Sequence, residues 1–299
     1  METRIAHEQI GELVCWRIRH RGAQLLIAEQ GAQLLSYQRD DGPPLIWLSE
    51  QVEYRRGQGL RGGVPVCWPW FGALARNPAE IQAQYHGARA PAHGLVRTLD
   101  WRLEDIRQED DAVSIEFVFD TREQPLADWP HAVELRLGIR LDQRLHLRLG
   151  SHNHGDQPLF LSQALHSYFA VSDIRQAQVE GLHGCCYIET LEDWQSRLQQ
   201  GPVTFDGETD RIYLGVPSQI SIRDPGWRRR IHLMSSGSQS AVVWNPWIDK
   251  SRSLSQFAAD AWTGMLCIET ANLLEDRVEL PPGAGQALAV SLWESPLDS

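Results

Sequence analysis

Alternating apolar and polar positions recur along this chain and predict β-strands that each bury one face. The alternation is clearest in four segments, over residues 113–119, 135–141, 145–149 and 220–222. Turn-forming residues follow several of these segments, at Asp142-Gln143, at residues 153–156 and at Asp224-Pro225-Gly226. Short turns between such strands indicate hairpins, so the pattern predicts an all-β, antiparallel meander.

Helical periodicity is weak by comparison. The best candidates for short helices are residues 189–199 and 255–262. The pattern therefore argues against an α/β plan, in which strands and helices alternate. Neither an internal repeat nor a low-complexity linker divides the chain, and large β-sandwiches often use this length for one domain. We expect a single β-sandwich domain over residues 1–299.

Composition and charge narrow the possible partners. The formal net charge is -11, which argues against general binding of nucleic acid or anionic membranes, because both need clustered Lys and Arg. No signal peptide or membrane helix is recognisable, and the odd number of scattered cysteines suits reduced thiols. We expect a cytoplasmic protein. Cys185-Cys186 lack metal-ligand spacing, and His152 and His154 lack matching ligands, so no metal site is predicted.

A rigid segment around Arg61 is the first candidate for chemistry. It reads RGGVPVCWPWFG over residues 61–72, where paired glycines permit close approach and two prolines stiffen the backbone. Arg61 could cap carbonyl groups or pair with a carboxylate in a purely structural loop. Its planar guanidinium also fits an oxyanion such as phosphate, and both interpretations stay open.

Two histidines lie in different surroundings. His93 and Arg97 are four residues apart in HGLVR and could reach one ligand, although a lone histidine is more often structural. His166 lies within a mostly apolar stretch over residues 159–171 that predicts a strand, on the same face as Tyr168. A histidine there needs a polar partner, which a pocket would supply.

Glu269 is the most unusual carboxylate of the chain. It interrupts the apolar pattern of residues 265–272, which predicts a buried strand. Burial raises the pKa of a carboxyl group toward the value that a general base needs, although pairing with an arginine at a strand end is an equal alternative. Asp210, next to Arg211, reads in isolation as half of a loop ion pair. The twelve tryptophans suit a β-sandwich core, and some of them suit a sugar site.

Six segments together resemble one known family. RGGVPVCWPWFG, HGLVR, LSQALHSYF, ETDRIY, VVWNPW and CIETAN, in this order, resemble the hexose-6-phosphate mutarotase branch of the aldose 1-epimerase superfamily. The resemblance implies a galactose mutarotase-like supersandwich without metal or organic cofactor. The chain differs from the family pattern at Leu95-Val96 and at Thr270-Ala271-Asn272.

The resemblance also implies roles for particular residues. His166 and Glu269 match the catalytic acid and base, and Asp210 and His93 match residues that hold sugar hydroxyls. Arg61 and Arg97 match the positive charges that would select a phosphorylated sugar. Motifs of P-loop, α/β-hydrolase and zincin proteins do not occur.

The expected activity is interconversion of the α and β anomers of a small-molecule hexose 6-phosphate, by a monomer or weak dimer. Two alternatives stay open. One is a non-catalytic carbohydrate-binding or sensor protein on the same fold, and the other is a mutarotase of unphosphorylated aldoses.

Overall fold

The computed structural model describes residues 3–40 and 42–297, and β-strands dominate this part of the chain. Two eight-stranded sheets contribute to one apolar core, and all pairings between their strands are antiparallel. The predicted all-β antiparallel sandwich is thereby confirmed. The prediction of a single domain over residues 1–299 stays a prediction.

The first large sheet contains the segments singled out around His166 and Glu269. Its strands follow the order β15-β14-β16-β19-β20-β11-β5, and β12 also pairs with β20. Their bounds are β5 Val66–Cys67, β11 Gln163–Leu165, β12 Tyr168–Ala170, β14 Cys186–Glu189, β15 Gln195–Leu198, β16 Thr209–Leu214, β19 Ser240–Asn245 and β20 Met265–Asn272.

The second large sheet contains the strands with the clearest alternation. Their order is β13-β17-β18-β22-β9-β8-β7-β6. Their bounds are β6 Arg102–Gln108, β7 Val113–Asp120, β8 Val133–Leu141, β9 Leu145–Asn153, β13 Gln178–Glu180, β17 Gln219–Asp224, β18 Arg229–Ser236 and β22 Gly285–Pro296. Every second residue of β8 is buried and the intervening ones are half-buried, so the period of two correctly identified this strand.

Smaller elements complete the described fold. A four-stranded sheet consists of β1 Arg4–Ile10, β2 Leu13–His20, β3 Ala23–Ala28 and β4 Leu34–Arg39, and β10 Leu159–Leu161 pairs with β21 Val278–Leu280. The α-helices are α1 Ala79–Gln82 and α2 Trp247–Ser251, with 3-10 turns at Leu74–Arg76, Ala261–Gly264 and Leu274–Asp276. Among the described residues, no helix has the length and apolar character needed to cross a membrane.

The helix predicted over residues 189–199 is wrong. The segment forms a hairpin, in which β14 ends at Glu189 and β15 begins at Gln195. Its turn contains Asp193 and Trp194 in left-handed conformations, with φ values of 50° and 57°. Strand pairing at the edge of the first large sheet overrides the local helical preference, as tertiary context often does.

The helix predicted over residues 255–262 is also wrong. Contacts with residues 49–59 hold this segment in an irregular conformation: the Ser49 hydroxyl donates to the carbonyl of Gln256, and the side-chain amide of Gln256 donates to the carbonyl of Gly59. Gln256 itself has a φ of 55°, which an α-helix does not allow.

The paired glycines near Arg61 have the predicted backbone role. Gly62 and Gly63 have φ values of 108° and 71°. The Gly63 amide donates to the carbonyl of Trp47, and the next amide donates to the carbonyl of Leu34, each at 2.7 Å. A Cβ on Gly63 would lie 2.3 Å from that Leu34 oxygen. The segment therefore packs against the neighbouring backbone only because it lacks side chains here.

We expect Gly63→Ala to lower the free energy of unfolding by about 2 kcal/mol or more, because a left-handed backbone and a backbone clash both oppose the methyl group. Gly138→Ala is the matched control, since a Cβ there meets no atom within 4 Å, and its effect should stay within about 0.5 kcal/mol. Urea denaturation measures both. Equal stabilities of the two variants would contradict this account of the loop.

Candidate active site

One antiparallel register brings His166 and Glu269 together. Gln163 pairs with Asn272 at one end of β20, and Tyr168 pairs with Cys267 further along the same strand. The register is the same before and after the gap between β11 and β12, so His166 in that gap lies opposite Glu269. Directly opposed residues of antiparallel strands project their side chains from the same face.

The strand predicted over residues 159–171 is interrupted twice, and the interruptions position His166. At each interruption a backbone amide donates to a carbonyl of the proline-rich loop. The Ser162 amide donates to the carbonyl of Pro69 at 3.1 Å, and the His166 amide donates to the carbonyl of Pro65 at 3.0 Å. These bonds replace the ladder bonds of a continuous strand. The rigid loop therefore holds the backbone of His166 directly.

The two side chains are close and nearly inaccessible. His166 Nε2 lies 3.4 Å from Glu269 Oε1, and the two residues are 8% and 1% exposed. The imidazole stacks on Tyr168, with ring centroids 4.8 Å apart and planes tilted by 9°. The prediction that His166 and Tyr168 share a face is confirmed.

Burial acts in opposite directions on the pKa values of the two groups. It lowers the pKa of His166 well below its usual range, and the nearby His93 and Arg97 lower it further. It raises the pKa of Glu269 well above its usual range, with a further contribution from the negative charge of Asp210. In the protein alone, neutral imidazole and neutral carboxyl are therefore the favoured forms.

Both groups also keep a buried polar atom without a hydrogen-bond partner among the described residues: His166 Nδ1 and Glu269 Oε2. An unpaired buried polar atom costs about 1–3 kcal/mol, and most buried polar atoms of native proteins have a hydrogen-bond partner. Such an arrangement in a cavity is typical of an active site.

The pair lines a cavity of about 450 Å³, within the usual range for small-molecule sites. Five of the six residues singled out from the sequence line it together: Arg61, His93, His166, Asp210 and Glu269. Arg97 does not belong to the cavity lining. The positive charge of Arg97 nevertheless lowers the pKa values of His93 and His166, so it acts on the cavity from a short distance.

His93 is held as a neutral group. Its φ of 64° is rare for a residue with a side chain. The amide of Gly72 donates to its Nδ1 at 3.3 Å, which leaves Nε2 to carry the proton. Burial, together with Arg97 and Arg61, lowers the pKa of His93 to about 3. The ring can therefore donate a hydrogen bond without gaining a charge.

Asp210 does not form the loop ion pair that its neighbour suggested. It lies on β16, and Arg211 instead contacts Glu189 on β14, at 2.8 Å. The two adjacent residues of a strand point to opposite faces, so Asp210 turns toward the cavity. Burial is the main reason that the pKa of Asp210 is raised to about 6.

Three cationic side chains line the cavity: Arg61, Arg76 and Lys250. Within the described ranges, none of them forms an ion pair with a carboxylate. Arg61 Nε donates to the carbonyl of Ser255 at 3.3 Å, and the guanidinium of Arg76 lies 4.9 Å from the ring of Trp194. Uncompensated positive charge in one cavity of an acidic protein favours an anionic ligand.

Sequence reasoning missed several of the lining residues. Arg76, Lys250 and Trp194 belong to the cavity but to none of the segments first assigned a role. Lys250 could have been noticed, because it is the single lysine of the chain. Trp194 could not, because the segment around it was interpreted as a helix.

Comparison with known proteins agrees with this fold. The family model described as aldose 1-epimerase matches residues 14–293. The chain belongs to the aldose 1-epimerase family, and it is accordingly an isomerase.

Within the family, the similar proteins are named more narrowly. A candidate glucose-6-phosphate 1-epimerase of Escherichia coli (strain K12) is 31% identical over 291 residues, which cover 96% of this chain and 94% of that protein. Another, from Cenchrus ciliaris, is 32% identical over 276 residues, with coverages of 88% and 80%. The crystal structure of a candidate mutarotase, YeaD of Salmonella typhimurium, superposes with a TM-score of 0.87 at 28% identity and coverages of 98% and 94%.

We expect Glu269→Gln to raise the melting temperature at neutral pH. The raised pKa means that the folded protein keeps a proton on Glu269 which the unfolded chain releases above about pH 4.3. The stability that this proton contributes is complete at low pH and is lost as the pH rises toward the folded pKa. The advantage of the variant over the wild type should therefore grow from pH 4 to pH 8 in calorimetric scans.

Glu189→Gln is the matched control for this measurement. Glu189 is also buried, but it contacts Arg211, so its removal leaves a half-buried cation without its partner. The control should melt at a lower temperature than the wild type. Equal decreases in both variants would mean that burial does not disfavour the charge of Glu269.

Proposed function

We propose that this protein interconverts the α and β anomers of hexose 6-phosphates, with His166 and Glu269 as its acid and base. The observation that carries the proposal is the 3.4 Å contact between these two groups in a cavity lined by unpaired cations. The names of the relatives from Escherichia coli and Cenchrus ciliaris, both candidate glucose-6-phosphate 1-epimerases, support the same substrate class.

Anomer exchange requires the pyranose ring to open and close. Glu269 takes the proton of the C1 hydroxyl while His166 gives a proton to the ring oxygen, so the C1–O5 bond breaks without a full charge on either oxygen. Rotation about C1–C2 presents the other face of the aldehyde. The same two groups then act in reverse to close the ring.

This chemistry needs one proton on the pair, whichever group holds it. In the protein alone, the pKa directions favour protonated Glu269 and neutral His166. A bound sugar changes the balance, because its C1 hydroxyl donates to an ionised Glu269 and its ring oxygen accepts from a protonated His166. Activity is therefore expected between the two apparent pKa values of the pair, with a bell-shaped pH profile.

Other lining residues would orient the sugar. Asp210 accepts hydrogen bonds from ring hydroxyls when it is ionised, above about pH 6, and neutral His93 donates one. The indole of Trp244 also lines the cavity and offers an apolar face to the C–H side of a pyranose. These contacts would hold C1 and O5 against the catalytic pair.

The phosphate is assigned to the cationic part of the cavity. Arg61 and Lys250 belong to the same wall, because Arg61 donates to the carbonyl of Ser255, five residues after Lys250. Arg76 adds a third charge from another loop. Arg97 lies outside the lining and contributes to this proposal only through its positive charge, which acts on His93 and His166.

We expect His166→Asn and Glu269→Gln each to lower kcat by about 10²–10⁴-fold, because each removes one positioned proton donor or acceptor. NMR exchange between the anomers of glucose 6-phosphate measures the rate above the uncatalysed background. His146→Asn is the control: His146 is a half-buried histidine that contacts Asp142 and Ser291 on the second large sheet. Near wild-type rates in the first two variants would reject the assignment.

We expect Arg61→Ala and Lys250→Met each to raise KM for glucose 6-phosphate by about tenfold, the loss of about 1.4 kcal/mol, while kcat changes little. KM for free glucose should be unaffected in both variants. Arg252→Gln is the control, because Arg252 directly follows α2, the helix that contains Lys250, but forms an ion pair with Asp249. Equal losses for phosphorylated and free sugars would remove these residues from phosphate recognition.

A further inference from the structure

A second pair of polar side chains joins the strands that carry the catalytic pair. Gln163 and Asn272 are directly opposed in the β11–β20 pairing, three residues away from His166 and Glu269. An odd separation on a strand turns them to the opposite face, away from the cavity. Both are buried, and Gln163 Nε2 donates to Asn272 Oδ1 at 3.0 Å.

The hydrogen bonds of this pair extend to the second large sheet. The other N–H of Gln163 donates to Oε1 of Gln286, on β22, at 2.8 Å. The amide of Asn272 donates to the carbonyl of Gly237 at 2.9 Å and to Asp276 Oδ2 at 3.2 Å. All four side-chain N–H groups of Gln163 and Asn272 are thus satisfied. We call Gln163, Asn272 and Gln286 the amide clamp.

Apolar side chains could fill this space without polar atoms that need partners. A buried amide, in contrast, lowers the stability of the fold unless every donor has a hydrogen-bond partner. The satisfied network exists in one strand register only: a slip of one or two residues would separate the amides and bury unpaired donors. Buried polar groups are known to specify register in this way. Asn272 also belongs to the segment, Thr270-Ala271-Asn272, that departs from the family pattern.

We propose that the amide clamp is a positioning element for the catalytic pair. By holding β11 against β20 in one register, and both against β22, it fixes the separation of His166 Nε2 from Glu269 Oε1 at its 3.4 Å. None of its side chains contacts the substrate cavity, so it acts only through the two strands. The inference rests on the proposed function of His166 and Glu269.

The test uses Gln163→Met and Asn272→Leu, which keep a similar side-chain length and shape but remove the hydrogen bonds. We expect kcat for glucose 6-phosphate to fall by about 10–100-fold, as for a displacement of catalytic groups by up to about 1 Å, with KM within about twofold. The double variant should lose no more than the more affected single variant, because both changes break one network.

The pH profile distinguishes positioning from mere stability. Attraction between protonated His166 and ionised Glu269 widens the range in which the pair holds one proton, since it lowers the first apparent pKa and raises the second. Moving the groups apart should narrow the pH plateau of kcat from both sides. A variant that is only less stable would keep the profile of the wild type.

Two further variants keep the test decisive. Gln286 lies at the half-buried end of the amide clamp, where a replacement is tolerated more easily. Gln286→Met should lower kcat several-fold. Asn153→Leu is the matched control: this buried amide donates to carbonyls of Gln157 and Leu280 and forms no hydrogen bond with β11 or β20. It should lower the melting temperature without lowering kcat.

The outcomes separate the two proposals. Folded clamp variants with kcat within twofold of the wild type, or with an unchanged pH plateau, would overturn the positioning role while leaving the mutarotase proposal intact. A wild-type protein that does not accelerate anomer exchange of any hexose 6-phosphate would reject the proposed function itself.

Discussion

The pairing of residues 163–170 with β20 is the constraint on which the candidate site depends. It sets a histidine and a glutamate opposite each other from parts of the chain about a hundred residues apart, and it holds on both sides of the break at His166. The proline-rich loop takes over the backbone bonds that the break leaves open. The geometry of this candidate pair is therefore a property of sheet register and does not depend on a flexible loop.

Burial of His166 and Glu269 also lowers the stability of the fold. Every residue of β20, including Glu269, is buried. A carboxyl and an imidazole placed there resist ionisation, and each keeps one buried atom without a hydrogen-bond partner among the described residues. Stability lost in this way is typical of sites that are organised before the ligand arrives.

The sequence predicted the fold class and most of the candidate site for definable reasons. Alternation identified strands such as β8, and a carboxylate inside an apolar run marked Glu269. The failures have equally definable reasons. A polar segment at a sheet edge, residues 189–199, carries no alternation and was interpreted as a helix. The ion pair expected at Asp210 depended on which strand lies beside β16, which local sequence does not contain.

The tertiary structure likewise determines which cationic side chains line the cavity. The resemblance implied Arg97, whereas Arg76 and Lys250 are the residues that join Arg61 in the lining. Lys250 is also the only side-chain amine of the chain. Amine-selective reagents would consequently attach, apart from the α-amino group, at this one location, so that a reporter dye could follow occupancy of the cavity without any engineered residue.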